Sequence, residues 1–293
     1  MRETRYRVGA GLNEDLDRRS GNSPQSGFRE GSRGELHLTI ALLSDFHNSG
    51  PATATAVTDS LRRNRPDIIA IAGDLLVGYR PRSDELMVLE QKNVLPLVRA
   101  CAGIAPTYVS LGNHEWMVCD EDIALLKTAG ATVLNNRFVA THSVVIGGLA
   151  SAVVSDFEAF RQQAGGRYPY KTMHSRAKRL MPDTAWLDEF EQRKEYKILL
   201  SHHPEYWSAR APMIEKPMLE KRKFDLVLSG HAHGGQIRLF GRGLYAPNQG
   251  WLPEFTGGVH RGDYGCMVVS RGLSNTAPVP RLFNPTEIVY IEI

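Results

Sequence analysis

The sequence predicts an α/β protein in which two mixed sheets are flanked by helices, and three observations carry that reading. Short apolar runs of strand length alternate with stretches of helical character from Leu36 to Ser229. Beyond that point the chain becomes strand-rich. Several neighbouring strand candidates also lack the long crossover that a purely parallel sheet requires.

The elements follow in order. Leu36 to Leu43 is a nearly continuous apolar run, as in a strand buried on both faces. Asp67 to Ala72, Thr107 to Leu111, Lys197 to Ser201 and Asp225 to Ser229 repeat that pattern. Helical stretches intervene near Ala52 to Asn64, Asp84 to Cys101 and Asp120 to Ala129. Thr132 to Leu134 and Ser143 to Gly148 read as strands without an intervening helix. Gly235 to Phe240, Gly265 to Ser270 and Glu287 to Ile293 complete the strand set.

Composition bounds the function. The 293 residues are 42% hydrophobic and 23% charged, which fits a globular protein and excludes a fully disordered or fibrous one. The charge sum is 35 − 32 = +3, too small to imply nucleic-acid binding by itself. The three cysteines, Cys101, Cys119 and Cys266, form no CxxC pair, so reduced thiols and a cytoplasmic location are expected. No run of about 18 apolar residues predicts a transmembrane helix.

Two segments stand apart. Residues 1–34 hold seven arginines among five acids and six glycines, with few large apolar residues. They are expected to form a flexible N-terminal tail, with a membrane-surface or partner-binding arm as the alternative. The domain proper then covers 35–293. Within it, residues 156–197 carry basic and aromatic side chains and read either as a cap over the site or as a solvated helical excursion.

The chemistry lies where the strands end. The first strand runs into Asp45-Phe46-His47, the second into Gly73-Asp74, and the third into Gly112-Asn113-His114-Glu115. The fourth runs into His202-His203-Pro204, and the fifth into Gly230-His231-Ala232-His233-Gly234-Gly235. Ligands in open α/β sheets collect at the carboxyl ends of strands. The pool of nine residues includes six of the ten histidines of the chain. Imidazole, carboxylate and carboxamide together suit Mn, Fe or Zn, and no cysteine belongs to the set. A carboxylate bridges two metals through its two oxygens, and Asp74 is the natural candidate. Singly, Asp-x-His or Gly-Asp carries little weight, and His37, His142 and His260 read as surface or satisfied core histidines. The five groups in this order point to a dinuclear metal site.

This ordered set resembles the calcineurin-like metallophosphoesterases, over about Leu36 to Ile293. It is most similar to the bacterial branch of small phosphodiesterases, through Ser229 to Gln236, Ser270-Arg271-Gly272 and the strand at Glu287-Ile288. The resemblance implies a four-layer α-β-β-α sandwich. It implies that Asp45, His47 and His233 hold one metal and that Asn113, His202 and His231 hold the other. Asp74 bridges the two, and His114, not a ligand, points at the scissile phosphate. His202 is preferred to His203 because it directly follows the strand, with Pro204 two places on.

The expected activity is hydrolysis of a phosphate ester, most simply a phosphodiester, by direct attack of a metal-bridging hydroxide. His114 would protonate or stabilise the leaving oxygen, oriented by a carboxylate of which Asp45 is the first candidate. A phosphate-ester substrate is the expected partner, with the membrane surface a further one. One alternative is a pyrophosphatase or phosphodiesterase acting on a lipid-linked or nucleotide-sugar substrate. Another is a metal-silent binding module on the same fold, which the intact ligand set argues against. A nuclease is disfavoured by the small basic excess.

Overall fold

A computed structural model describes residues 1–9, 12–15, 36–78, 86–116, 118–151, 182–207, 218–263, 265–276 and 279–293. Two mixed sheets dominate it. The first contains β1 (Arg2–Gly9), β2 (Leu12–Asp15), β3 (Thr39–Leu43), β4 (Ile68–Ala72), β5 (Thr107–Ser110), β6 (Ala131–Leu134) and, from the end of the chain, β17 (Glu287–Glu292). Its order is β2-β1-β17-β3-β4-β5-β6, with β3 to β6 mutually parallel.

The second sheet contains β7 (Arg137–Ala140), β8 (Val144–Leu149), β9 (Tyr196–Ser201), β10 (Leu226–Ser229), β15 (Gly258–Gly262) and β16 (Gly265–Val269). Its order is β15-β16-β10-β9-β8-β7, with β8, β9, β10 and β16 parallel. Two small hairpins lie between β10 and β15: β11 (Arg238–Leu239) with β12 (Arg242–Gly243), and β13 (Tyr245–Ala246) with β14 (Gly250–Trp251).

Strand alternation builds the layers. Ile69 and Ile71 of β4 face the helices α1 (Pro51–Asn64) and α3 (Val94–Ala102), packing with Leu61, Leu97 and Val98. Ile68, Ala70 and Ala72 of the same strand face the second sheet, meeting Ile198, Leu200 and Leu228. Beyond that sheet, Leu199, Val227 and Met267 pack on Leu187 and Phe190 of α5 (Leu187–Glu191). Three apolar interfaces separate four layers, helix, sheet, sheet and helix, as the resemblance implies.

The sequence alone suffices for α1. Pro51 occupies the first turn, where a missing N–H costs nothing, and the helix stops at Arg65 in a left-handed conformation (φ 44°) whose N–H reaches Leu61 O. The expected helix from Asp84 to Cys101 is instead two, α2 (Met87–Glu90) and α3, with Gln91 between them outside helical geometry. The helix α4 (Asp120–Thr128) forms where expected.

The N-terminal tail expected over 1–34 is corrected for its first residues. β1 pairs in parallel with β17 through six registered residues from Arg2–Glu287 to Arg7–Glu292. Thr4, Tyr6 and Val8 are buried while Arg5 and Arg7 are not, a period of two masked by the arginines. Burying Tyr6 and Val8 is worth about 1.5–3 kcal/mol each. Thr4 Oγ1 donates to the buried Glu287 Oε2 (2.9 Å), and Arg7 pairs with Glu292. The remainder of that segment, 16–34, lies outside the described residues. So does most of the expected cap, since 152–181 is not described; its described part, 182–197, is α5 and the start of β9, which belong to the core.

Candidate metal centre

Five parallel strands aim their carboxyl ends at one place. β3, β4 and β5 bring Asp45, His47, Asp74, Asn113 and His114 from the first sheet. β9 and β10 bring His202, His231 and His233 from the second. The backbone is bent to the left-handed region at Asp45 (φ 53°), His47 (47°), Asp74 (55°), His231 (66°) and His233 (46°). Such angles are uncommon for residues other than glycine and cluster at functional sites. Gly112 permits the closest approach: a Cβ there would fall 2.2 Å from Asp74 Oδ1.

The geometry centres on Asp74. Its Oδ1 accepts the His114 N–H (2.9 Å), which leaves Oδ2 facing three rings. Oδ2 lies 3.0 Å from Nε2 of His202, 3.8 Å from Nε2 of His47 and 3.9 Å from Nε2 of His114. Asp45 is fixed by Ser44 Oγ (2.6 Å) and by the His231 N–H (3.1 Å). Its Oδ1 faces Nε2 of His233 at 3.5 Å and Nε2 of His47 at 3.9 Å. Four groups of potential ligands result among the described residues: Asp45 with His47 and His233, His47 with Asp74 and His114, Asp74 with His202 and His231, and His203 with Glu205 and His231.

Backbone carbonyls fix two of the rings. His47 Nδ1 donates to Leu76 O (3.1 Å) and His202 Nδ1 to Ala72 O (2.7 Å), so each turns Nε2 inward. Nε2 of His47, Nε2 of His202 and Oδ1 of Asn113 are buried without hydrogen-bond geometry to any described group. Unpartnered buried nitrogens of His47 and His202 facing the Asp45 and Asp74 carboxylates are what borderline cations need, and carbonyl-oriented imidazoles are the usual support. The residues therefore fit such ions. His233 differs, because its Nδ1 accepts from Arg281 Nη2 (3.1 Å). A cation at its Nε2 requires the ring proton on Nδ1 and so displaces that contact.

Charge and burial oppose each other here. Burial alone would raise the Asp74 carboxyl, but the His202 and His114 rings hold it well below the usual range. Burial likewise works against a charge on His202, yet Asp74 and Asp45 outweigh it and push that ring up to about 10. For His47, farther from Asp74, burial prevails and pushes the ring down to about 4.

Residues that spacing did not single out complete the site. Glu115 receives three backbone N–H groups, from Asp74 (2.8 Å), Gly112 (2.6 Å) and Leu76 (2.9 Å), and so ties the β4 and β5 loops together. Burial and the nearby Asp74 push its carboxyl up to about 7. Glu205 is fully buried; its Oε1 lies 3.1 Å from His203 Nδ1 and 3.5 Å from His231 Nε2. Asn248 touches both, at 3.0 Å from Glu205 Oε1 and 3.2 Å from His231 Nε2. With Nε2 of His231 so engaged, its Nδ1 is the atom left for the centre. His203 faces Glu205 and His231, not Asp74. A signal for Glu205 was present, an acid just past His202-His203-Pro204.

The expectation that Asp45 orients His114 is not met. Gly78 N donates to His114 Nδ1 (2.7 Å), which places the neutral ring's proton on Nε2. His114 is also the most open ring of the group, with 28% of its side chain exposed. The arginines of residues 156–181 lie outside the described residues.

This fold and this ring of strand-end ligands define the class of protein. The chain belongs to the calcineurin-like phosphoesterase family, whose model matches residues 38–235. It is similar to a Caenorhabditis elegans protein named as a metallophosphoesterase (29% identity, over 93% of this chain and 51% of that one). It is similar also to a metallophosphoesterase of Aquifex aeolicus (27%, 87% and 85%) and to phosphodiesterase YaeI of Escherichia coli (25%, 68% and 62%). The chain thus spans about half the length of the C. elegans relative.

Proposed function

We propose that the protein hydrolyses phosphodiesters with two metal ions held side by side. Asp45, His47 and His233 would hold one ion, and Asn113, His202 and His231 the other, with Asp74 shared. The observation that carries this reading is the pair of inward-facing imidazole nitrogens, His47 Nε2 and His202 Nε2, flanking Asp74 Oδ2 at 3.8 and 3.0 Å. Mn, Fe and Zn all suit the donor set. Two such ions, when bound, neutralise the phosphoryl oxygens and acidify water for an in-line displacement.

The chain's own groups have distinct tasks. Asp74 and Asp45 supply the negative charge that keeps cations in place. Glu115 holds the two loops that carry Asp74 and Asn113. His114 presents its Nε2 proton to the ester, donating a hydrogen bond to the leaving oxygen. Full transfer of that proton is disfavoured while Gly78 occupies Nδ1, so stabilisation of the developing charge is its main contribution. Five of the seven proposed ligands, Asp45, His47, Asp74, His202 and His231, are buried, and Asn113 and His233 are half-buried.

The similarity to phosphodiesterase YaeI supports a diester over a monoester. Hydrolysis of bis(p-nitrophenyl) phosphate by the metal-loaded protein, compared with p-nitrophenyl phosphate, tests it. A kcat/KM at least about tenfold higher for the diester is expected; a monoester preference overturns the diester reading.

A further inference from the structure

Beside the proposed metal centre lies an apolar, cationic surface that the hydrolytic chemistry does not explain. Among the described residues, eight of the ten large apolar side chains that stand exposed fall between 239 and 283. Four dominate: Phe240 is fully exposed, Phe283 is 80% exposed, Trp251 77% and Leu252 73%. Phe240, Leu252 and Phe283 all adopt left-handed backbone angles (51°, 52° and 55°), unusual for bulky residues. These side chains are held outward at turns.

The turns form one structure. Ile237 bridges Leu282, and Arg238 N donates to Leu282 O (3.0 Å). Leu244 N donates to Ile237 O (2.9 Å), and Leu252 N to Leu244 O (2.8 Å). The inner sides of the same turns touch the candidate ligands: Arg281 meets His233, Asn284 Nδ2 donates to His233 O (2.7 Å), and Asn248 meets His231. The exposed apolar tips are therefore the outer rim of the loops that hold His231 and His233.

Charge selects the occupant. Residues 234–254 and 279–286 contain three arginines, Arg238, Arg242 and Arg281, against one acid, the exposed Glu254, and Arg242 is the exposed cation among them. A second copy meeting this surface symmetrically would set three arginines against three with one acid on each side, Glu254, a net repulsion. Separate protruding aromatic tips among cations instead match a bilayer, where Trp and Phe sink among the headgroups and arginine meets lipid phosphate. We infer that this rim docks on an anionic phospholipid membrane and opens the site towards esters carried there. The substrate half of this inference rests on the phosphodiesterase reading; the docking half does not.

Cosedimentation of the full chain with phosphatidylcholine vesicles containing phosphatidylglycerol tests the docking. Wild-type protein should bind these vesicles and bind pure phosphatidylcholine less. Phe240→Ser combined with Phe283→Ser should lower binding about tenfold or more, with an unchanged melting temperature. Arg242→Glu should weaken binding to the anionic vesicles alone. Asp74→Asn should abolish hydrolysis yet still sediment, so that a failed catalytic reading and a failed docking reading are told apart. No binding by wild type, equal binding by the double variant, or a dimer that the double variant dissociates would overturn the inference.

Discussion

Oδ2 of Asp74 lies 3.0 Å from Nε2 of His202, although one residue ends a strand of the first sheet and the other a strand of the second. The candidate metal centre is thus a joint between the sheets. Its ligands depend on packing that brings together segments 128 residues apart.

Asp74→Asn removes the charge that both proposed ions would share. Bound metal, measured by atomic emission after loading with Mn²⁺, should fall by at least half. The thermal stabilisation given by excess Mn²⁺, about 2.7 kcal/mol at a hundredfold excess over Kd, should shrink with it. A chelator should reproduce the loss of stabilisation in the wild type.

His114→Ala tests the role assigned to the one open ring of the site. Its kcat on a diester should fall by about 10²–10³-fold while metal content is retained. Loss of metal together with activity would mark His114 as a ligand.

Glu205→Gln probes the carboxylate behind His231. The amide keeps the shape but weakens the charge partner of His231 Nε2. Metal affinity should drop about 10–100-fold, read by calorimetric titration, with the melting temperature of the metal-free protein nearly unchanged.

The N-terminal strand should contribute to stability. Tyr6→Ala should destabilise the protein by about 3–5 kcal/mol, as for other large aromatic truncations, measured by urea unfolding. Acid should loosen the same edge. Burial raises the Glu3 carboxyl, but hydrogen bonds from Ser60, Arg63 and Asn64 bring it below its ordinary 4.5. A lowered carboxyl stabilises above its unfolded value and loses that contribution as pH falls through its folded value. The protection factors of the β1 amides should therefore fall below about pH 4.5, and less so in Glu3→Gln.

Much of this was legible in the sequence. Asp45, His47, Asp74, Asn113 and the later histidines each follow an apolar run, and strand ends are where side chains leave a sheet together. The two-sheet, helix-flanked arrangement was legible for the same reason. β1 was not, because its partner β17 is 285 positions away by the Arg2–Glu287 register and its arginines hide the Thr4-Tyr6-Val8 alternation. Asn248 and Arg281 were illegible in role: each acts on a histidine through tertiary contact, which leaves no periodic mark, and so does Glu205 in its contact with His231. The break between α2 and α3 depends on Gln91, whose side chain turns inward to bond the backbone of Val77.

Anomalous diffraction from crystals grown with Mn²⁺ bears most directly on the shared carboxylate. Two peaks about 3.5–4 Å apart, both within bonding distance of Asp74 and each met by one of the two ligand groups, are expected. A single peak, or density enclosed by His203, Glu205 and His231 with none at Asp74, contradicts the paired-ion centre.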